Sequence, residues 1–180
     1  MLIVLTGKTA SGKDTIIAKI LAKYPHFKKV LTTTSRALRK GEKNGLDYNF
    51  ISRQDFRDKI NRGDFLEYVL YGGNLYGTEK SRINPRKDLI WKIDPQRAGK
   101  IREIIKDDLL VIYISTSDEI ILQRLKKRGL TDEEIKKRMA DDKKIWQKYQ
   151  GSYDYIVENV PGSLEKAVDQ IIKIIKNSTS

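Results

Sequence analysis

The sequence contains no cysteine and only one histidine among its 180 residues. The lack of cysteine excludes a disulfide framework and thiol chemistry, and it suits a reducing compartment such as the cytoplasm, where we expect the protein to act. The single histidine, His26, follows Pro25 in a predicted turn, so we expect it to lie on the surface. Catalysis that depends on cysteine or histidine is therefore not expected.

Long apolar runs are also missing. No run approaches the roughly 20 apolar residues that a membrane-spanning helix needs. The apolar start, residues 1–5, has no basic segment before it, so we expect no signal peptide. We therefore expect no membrane partner.

Acidic residues are scarce relative to basic ones. The 24 Asp and Glu are outnumbered by 36 Lys and Arg, which gives a net charge of +12. Such a chain attracts polyanions, whether nucleic acids, membrane surfaces or phosphorylated small molecules. Most of these cations must form an ordinary solvated surface, and no RNA-recognition motif is visible. A general RNA-binding role would rest on charge alone, and we expect no nucleic-acid partner.

The apolar runs that are present alternate with amphipathic stretches, which is typical of an α/β protein of one domain. Strands are predicted at residues 2–5, 28–31, 65–71, 74–76, 88–93, 109–114 and 153–157, and helices at residues 14–23, 52–61, 96–106, 117–128, 131–149 and 163–176. The strands at 65–71 and 74–76 form a predicted hairpin with Gly72 and Gly73 in its turn. Residues 32–49 are predicted to form a shaped polar loop with a short strand at its end.

The most specific single motif is residues 7–14, which read GKTASGKD. They match the Gly-x-x-x-x-Gly-Lys core of a phosphate-binding P-loop, between a predicted strand and a predicted helix. Glycines let the backbone N–H groups turn inward around a phosphate, and the following helix presents its positive end. Lys13 is placed to reach the β- and γ-phosphates of a nucleoside triphosphate.

Position 14 departs from this motif. A Ser or Thr hydroxyl normally binds Mg²⁺ here, but the residue is Asp14. Two interpretations stay open: an acid in the first helical turn suits the helix dipole, or its carboxylate serves the magnesium ion.

Four further motifs follow in order. They are TTSRALRKGE at residues 33–42, GLDYNF at 45–50, Glu67 with GNLYGT at 73–78, and IDPQ at 93–96. Together with the P-loop they resemble the guanylate kinase family nearly end to end. The resemblance implies a three-layer P-loop NTPase core with a parallel sheet (residues 1–31 and 84–180), a small mixed-β acceptor-binding subdomain (32–83) and a helical lid (about 124–145).

The resemblance also implies ATP-dependent phosphoryl transfer to GMP or dGMP, giving GDP or dGDP and ADP, with Mg²⁺ as cofactor. It implies three groups of site residues. The ATP-binding group is Gly7, Thr9, Ser11, Gly12, Lys13, Asp14, Thr15, Arg124 and Asn159, with Asp14 also the metal ligand. The GMP-binding group is Arg36, Arg39, Tyr48 and Tyr76 for the phosphate and Thr32, Glu67, Thr78 and Asp94 for the base. The catalytic group is Lys13, Arg36, Arg128 and Arg138.

The chemistry of these residue types fits those roles. Arginine forks bind phosphate oxygens in pairs, and tyrosine hydroxyls complete such a shell. Guanine has donors at N1 and N2, which Glu67 and Asp94 can accept, whereas adenine has none at those two positions. Each of these residues taken singly also has an ordinary structural explanation, as a solvated or core side chain. Their order along the chain favours function.

One position differs from the family pattern. The family usually reads Asp-Ile-Asp where this chain reads Lys92-Ile93-Asp94. A carboxylate near the metal is therefore missing while Asp14 supplies an extra one, and we expect Asp14 to replace it and Lys92 to pair with Asp14 or with a phosphate oxygen. Two rival functions stay open: a related ribose bisphosphate kinase, which Asp14 favours slightly, and a guanylate-kinase-like binding module without catalysis. Whether the protein is a monomer or a homodimer is also open.

Overall fold

The computed structural model describes residues 1–71, 73–84 and 86–178. Within these ranges the strands are β1 (Leu2–Gly7), β2 (Lys28–Lys29), β3 (Thr33–Thr34), β4 (Asn49–Phe50), β5 (Phe65–Tyr71), β6 (Asn74–Glu79), β7 (Leu89–Lys92), β8 (Leu109–Ser115) and β9 (Tyr155–Glu158). The helices are α1 (Lys13–Lys23), α2 (Arg53–Asn61), α3 (Pro95–Lys100), α4 (Asp118–Lys127), α5 (Asp132–Tyr149) and α6 (Leu164–Ser178).

The larger sheet has five parallel strands in the order β2-β7-β1-β8-β9. Its central strand β1 is buried along its whole length, as expected for a parallel strand covered on both faces. On one face α1 and α6 pack through Ile16, Ile20 and Ile171, and on the other α3 and α5 pack through Ala98 and Tyr149. The predicted three-layer α/β fold with a parallel sheet is confirmed.

The smaller sheet has the order β4-β3-β6-β5 and is mixed, because β3 and β4 are parallel while the other pairs are antiparallel. The predicted hairpin of β5 and β6 is confirmed; Gly72 of its predicted turn lies outside the described residues. The helix α2 begins after Ser52, whose hydroxyl accepts a hydrogen bond from the Asp55 N–H at 3.0 Å.

Two local predictions were wrong. Residues 33 and 34 were predicted in a loop but form β3, which pairs with Tyr76 and Gly77, residues too distant in the sequence for a local pattern to show. The helix predicted to reach residue 106 ends at Lys100. The Ile101 carbonyl there accepts hydrogen bonds from the N–H groups of both Ile104 and Ile105, at 3.0 and 2.8 Å, so the chain tightens and turns towards β8.

The helices α4 and α5 form a pair beside the P-loop. Gly129, with φ of 79°, ends α4, and a capping box of Thr131 and Glu134 starts α5. Ile121 and Ile135 from the two helices pack together with the loop residue Ala10. Among the helices in the described ranges, none is both long and apolar enough to cross a membrane.

Candidate functional site

The P-loop follows the carboxyl end of β1, at the edge of the parallel sheet where ligands bind in α/β folds. A β-carbon at Gly7, with φ of 142°, would lie 2.2 Å from the Ile114 carbonyl oxygen of β8. A β-carbon at Gly12, with φ of 94°, would lie 2.3 Å from Nδ2 of Asn159. Both positions therefore require glycine, and neighbouring strands fix the shape of the loop.

Three distant side chains hold the outer part of this loop. The Asn159 amide donates to the Ser11 carbonyl at 2.7 Å, and the Thr116 hydroxyl donates to the same oxygen at 3.2 Å. Arg124 donates to the Ala10 carbonyl at 2.8 Å, where Ala10 has a left-handed φ of 64° that is costly for any residue except glycine. Arg124 and Asn159 thus contact the predicted ATP site through its backbone.

Lys13 lies inside the curve of the loop. Its Nζ donates to the carbonyls of Gly7 and Lys8, both at 2.7 Å, and to the Ser11 hydroxyl at 3.3 Å. Burial lowers the pKa of Lys13 to about 8, because charge is disfavoured away from water. A triphosphate would supply the negative charge that the surrounding carbonyls provide only as dipoles. Thr15 follows as an exposed residue in the first turn of α1.

Asp14 and Lys92 form an ion pair at the mouth of the loop, with Nζ to Oδ1 at 2.6 Å. Of the two partners expected for Lys92, Asp14 or a phosphate oxygen, the structure shows Asp14. The Asp14 side chain is 74% exposed, whereas that of Lys92 is 16% exposed and stands over the Tyr48 ring at 5.0 Å. Burial alone would raise the pKa of Asp14, but the Lys92 ammonium outweighs it and lowers that pKa.

Arg36, Tyr48 and Tyr76 come together in the smaller sheet. The Arg36 guanidinium lies 5.6 Å from the centre of the Tyr48 ring, and the Tyr48 and Tyr76 rings are 6.1 Å apart. Glu42 accepts from Nη2 of Arg36 at 2.7 Å and also from the Arg39 backbone N–H at 2.9 Å. The Arg39 side chain is exposed. The three grouped side chains form a cationic, hydroxyl-bearing pocket that suits a phosphate.

A second pocket forms where the smaller sheet meets the end of β7. Glu67 and Thr78 are paired across β5 and β6, and the Thr78 hydroxyl accepts from the Trp91 indole N–H at 3.0 Å. Its hydrogen is therefore left to donate elsewhere. Asp94 caps α3 by accepting from the Arg97 N–H at 3.0 Å. Thr32, the fourth residue predicted for the base, is buried just before β3.

Arg97 was missed by the sequence analysis. Its Nη1 donates to both carboxylate oxygens of Glu67, at 2.9 and 3.0 Å, and its Nε donates to Asp94. The guanidinium therefore joins the two acids predicted to bind the base. The signal was available in part, since residues three apart on a helix face each other, but the contact with Glu67 depends on tertiary structure.

The predicted lid residues lie on the helix pair. Arg128 is exposed at the end of α4, and its charge acts on Lys13. Arg138 is half-buried on α5 and interacts electrostatically with Tyr71 of β5 and Asp142 of α5. Asp142 was not predicted; burial raises its pKa, while the Thr9 backbone hydrogen-bonds to it. Side chains from the P-loop, the helix pair and the hairpin thus share one cleft.

The comparisons with known proteins agree with this geometry. The guanylate kinase family model matches residues 1–178. The guanylate kinase of Chlorobium luteolum is 29% identical over 99% of this chain and 92% of its own length, and that of Clostridium tetani is 35% identical over 97% and 85%. In the crystal structure of guanylate kinase from Anaplasma phagocytophilum, 85% of the chain aligns with 99% of this one, with 25% identity and a TM-score of 0.78.

Proposed function

The chain belongs to the guanylate kinase family and catalyses the ATP-dependent phosphorylation of GMP to GDP, and we propose which of its residues perform this reaction. The observation that carries the assignment is a P-loop beside two side-chain clusters, one of Arg36 with two tyrosines and one of two acids. The end of β7 joins them, because Lys92 contacts the P-loop acid and Asp94 the base pocket.

On the donor side, Lys13 moves its ammonium from the loop carbonyls to the β- and γ-phosphate oxygens of ATP. The backbone N–H groups of Thr9, Ser11 and Gly12 cradle the phosphates, while Arg124 and Asn159 keep the loop in shape. Arg128 and Arg138 close over the transferring phosphoryl group and stabilise its equatorial oxygens. Water is excluded as they close, so ATP is not hydrolysed.

The donor set at the loop mouth fits Mg²⁺. This ion usually takes one or two carboxylates together with substrate phosphates, and Asp14 offers an exposed carboxylate beside the phosphate cradle. When bound, Mg²⁺ neutralises charge on the β- and γ-phosphate oxygens. Lys92 then releases Asp14 and stays on the Tyr48 side of the cleft.

On the acceptor side, Arg36, Arg39, Tyr48 and Tyr76 hold the GMP phosphate in line with ATP. Glu67 and Asp94 accept from guanine N1 and N2, and Thr32 and Thr78 donate to its acceptors. Residues 32–83 act as the GMP-binding unit and residues 124–145 as the lid, both closing when substrates bind. Use of dGMP, a cytoplasmic location and the choice between monomer and homodimer stay predictions.

A coupled assay of ADP release tests the assignment. The acceptor panel contains GMP, dGMP, AMP, CMP and UMP, with the ribose phosphate substrates of the rival kinase added. GMP and dGMP should be phosphorylated on the order of a thousandfold better than AMP, because adenine has no N–H donors for Glu67 and Asp94.

The matched control is Lys13→Met. This variant should lose roughly a hundredfold to a thousandfold in kcat while binding GMP normally, because Lys13 serves only the donor phosphates. Equal rates on GMP and AMP, or a preference for the ribose phosphate, would contradict the proposal.

A further inference from the structure

Arg97 occupies the base pocket in a way that none of the assigned roles uses. Its side chain is only 13% exposed, and that of Glu67 is 7% exposed. Burial on its own would lower the pKa of Arg97, but Asp94 and Glu67 outweigh it and raise that pKa, so the cation is firmly held. The charge of this buried guanidinium is thus balanced by two acids, to which Nη1 and Nε donate.

The contact also spans two parts of the fold. Glu67 lies on β5 of the smaller sheet, whereas Asp94 and Arg97 lie at the start of α3, next to β7 of the larger sheet. The pair therefore ties the smaller sheet to the core from inside the base pocket.

All four carboxylate oxygens of the two acids accept hydrogen bonds from Arg97. Nη1 reaches Oε1 and Oε2 of Glu67, Nε reaches Oδ2 of Asp94, and the Arg97 backbone N–H reaches Oδ1 of Asp94. Since Glu67 is almost completely buried, its oxygens have little open surface left. The Asp94 side chain is 29% exposed, so the competition is sharpest at Glu67, where a base that needs the acceptors meets the guanidinium.

The guanine base and the Arg97 side chain offer similar hydrogen-bond donors. Guanine C2 carries an amino group and two ring nitrogens, so this edge of the base is itself a guanidine unit. It presents N–H donors at N1 and N2, whereas Arg97 presents N–H donors at Nη1 to Glu67 and at Nε to Asp94. The same pair of acids can therefore accept either group.

On the basis of the function proposed above, we propose that Arg97 is an internal competitor of the acceptor base: its side chain satisfies Glu67 and Asp94 in the free protein, and GMP binds by displacing it. The backbone N–H of Arg97 keeps its bond to Asp94, so α3 stays capped while the side chain leaves. Adenine has no donors at these two positions and so cannot replace the guanidinium. Arg97 thus lowers the affinity for GMP, and the acids favour guanine in spite of this competition.

Calorimetric binding of GMP to Arg97→Met tests this proposal. Methionine keeps much of the apolar stem and removes every side-chain donor. We expect the variant to bind GMP about tenfold more tightly or better, because hydrogen bonds to charged groups no longer compete. Its affinity for ATP should stay unchanged, and its ratio of GMP to AMP turnover should not fall. Weaker GMP binding together with a fall in that ratio would overturn the proposal and make Arg97 a support for the acids.

Arg102→Met is the matched control. Arg102 lies on the same stretch of chain and pairs with Asp154 at 2.6 Å, away from the pocket. Its loss should leave GMP affinity unchanged, so a gain in both variants would also overturn the proposal.

A measurement on the unaltered protein covers the case in which Arg97→Met does not fold. The Nε–H of Arg97, identified in NMR spectra by its loss in Arg97→Lys, should exchange slowly with water in the free protein. Its protection should fall on adding GMP but not on adding ATP. Protection that survives in the GMP complex would refute displacement. Failure of the proposed function would instead appear as an inactive native enzyme in the acceptor panel, which is independent of this binding measurement.

Discussion

Two ion pairs flank the end of β7, and they differ in the burial of their acids. Lys92 pairs with Asp14, which is 74% exposed at the mouth of the P-loop. Arg97 pairs with Glu67, which is 7% exposed, and with Asp94. The first pair stands beside a loop whose shape is fixed by glycines and distant side chains. The residues of the second pair themselves form much of the predicted base pocket.

The two ion pairs therefore differ in how much they contribute to the free energy of unfolding. Only the acid of the first pair is exposed, since Lys92 is 16% exposed and stays over the Tyr48 ring. An ion pair of an exposed carboxylate contributes about 0–1 kcal/mol, so Asp14 can leave Lys92 for another partner at little cost. Breaking a buried pair by removing one partner costs about 3–5 kcal/mol, because the other charge is left without compensation. The donor site is thus preformed, whereas the base pocket is held closed by its own side chains.

The largest expected effect comes from breaking the buried pair. Glu67→Gln should lower the free energy of unfolding by about 3 kcal/mol and lower the ratio of GMP to AMP turnover roughly a hundredfold. An amide offers a donor where guanine also offers one, so guanine loses the advantage that the Glu67 carboxylate gives it. Chemical denaturation and the acceptor assay measure the two quantities, and ATP affinity should change little.

Glu79→Gln is the matched control for this prediction. Glu79 is also buried and also paired, with Lys59 at 2.7 Å, but it follows Thr78 on β6 and so points to the opposite face. It should lose stability and keep the ratio of GMP to AMP turnover. If the two variants change that ratio equally, Glu67 does not read the base.

A smaller effect is expected from breaking the exposed pair. Asp14→Ala should change the free energy of unfolding by less than about 1 kcal/mol, yet raise the Mg²⁺ concentration needed for half-maximal kcat by about tenfold or more. The remote, exposed Asp169→Ala, which loses only a contact with Lys23, should leave the Mg²⁺ requirement unchanged.

Coupling between the two positions sharpens this test. The double variant Asp14→Ser with Lys92→Asp should recover more activity than either single change, because a hydroxyl and a strand carboxylate then share the metal. If the effects of the two single changes on activity simply add, or if Asp14→Ala has a normal Mg²⁺ dependence, Asp14 does not serve the metal. Its role would then be limited to a favourable interaction with the dipole of α1.

The smallest effect concerns acid stability. Burial alone would raise the pKa of Glu79, but hydrogen bonds from Lys59 and Thr33 outweigh it and hold the pKa below its ordinary 4.5. The folded state therefore gains stability from this group above pH 4.5, and loses it as the pH falls through the lowered value. The free energy of unfolding should decline less steeply below pH 4.5 in Glu79→Gln than in the native protein. If the free energy of unfolding falls equally steeply with pH in both proteins, the lowered pKa of Glu79 is contradicted.

The same contrast explains what the sequence could predict. The P-loop is a local pattern, so its spacing predicted both its position and the need for glycine at residues 7 and 12. The departures at positions 14 and 92 predicted Asp14 as one of two possible partners of Lys92. For Arg97 the spacing gave only the contact with Asp94, because Glu67 is brought near only when β5 packs against the core. Strand β3 was missed for the same reason: its pairing residues are far away in the sequence.

The hydrogen bonds to the Ser11 carbonyl also affect the stage of translation at which the P-loop can first bind a nucleotide. The P-loop motif leaves the ribosome early, but Thr116 follows much later and Asn159 comes after the last strand. A nascent chain that ends after β8 carries every residue of the motif without the amide that holds its loop. Nucleotide capture should thus begin only after β9 and Asn159 have been synthesised and have folded against the loop.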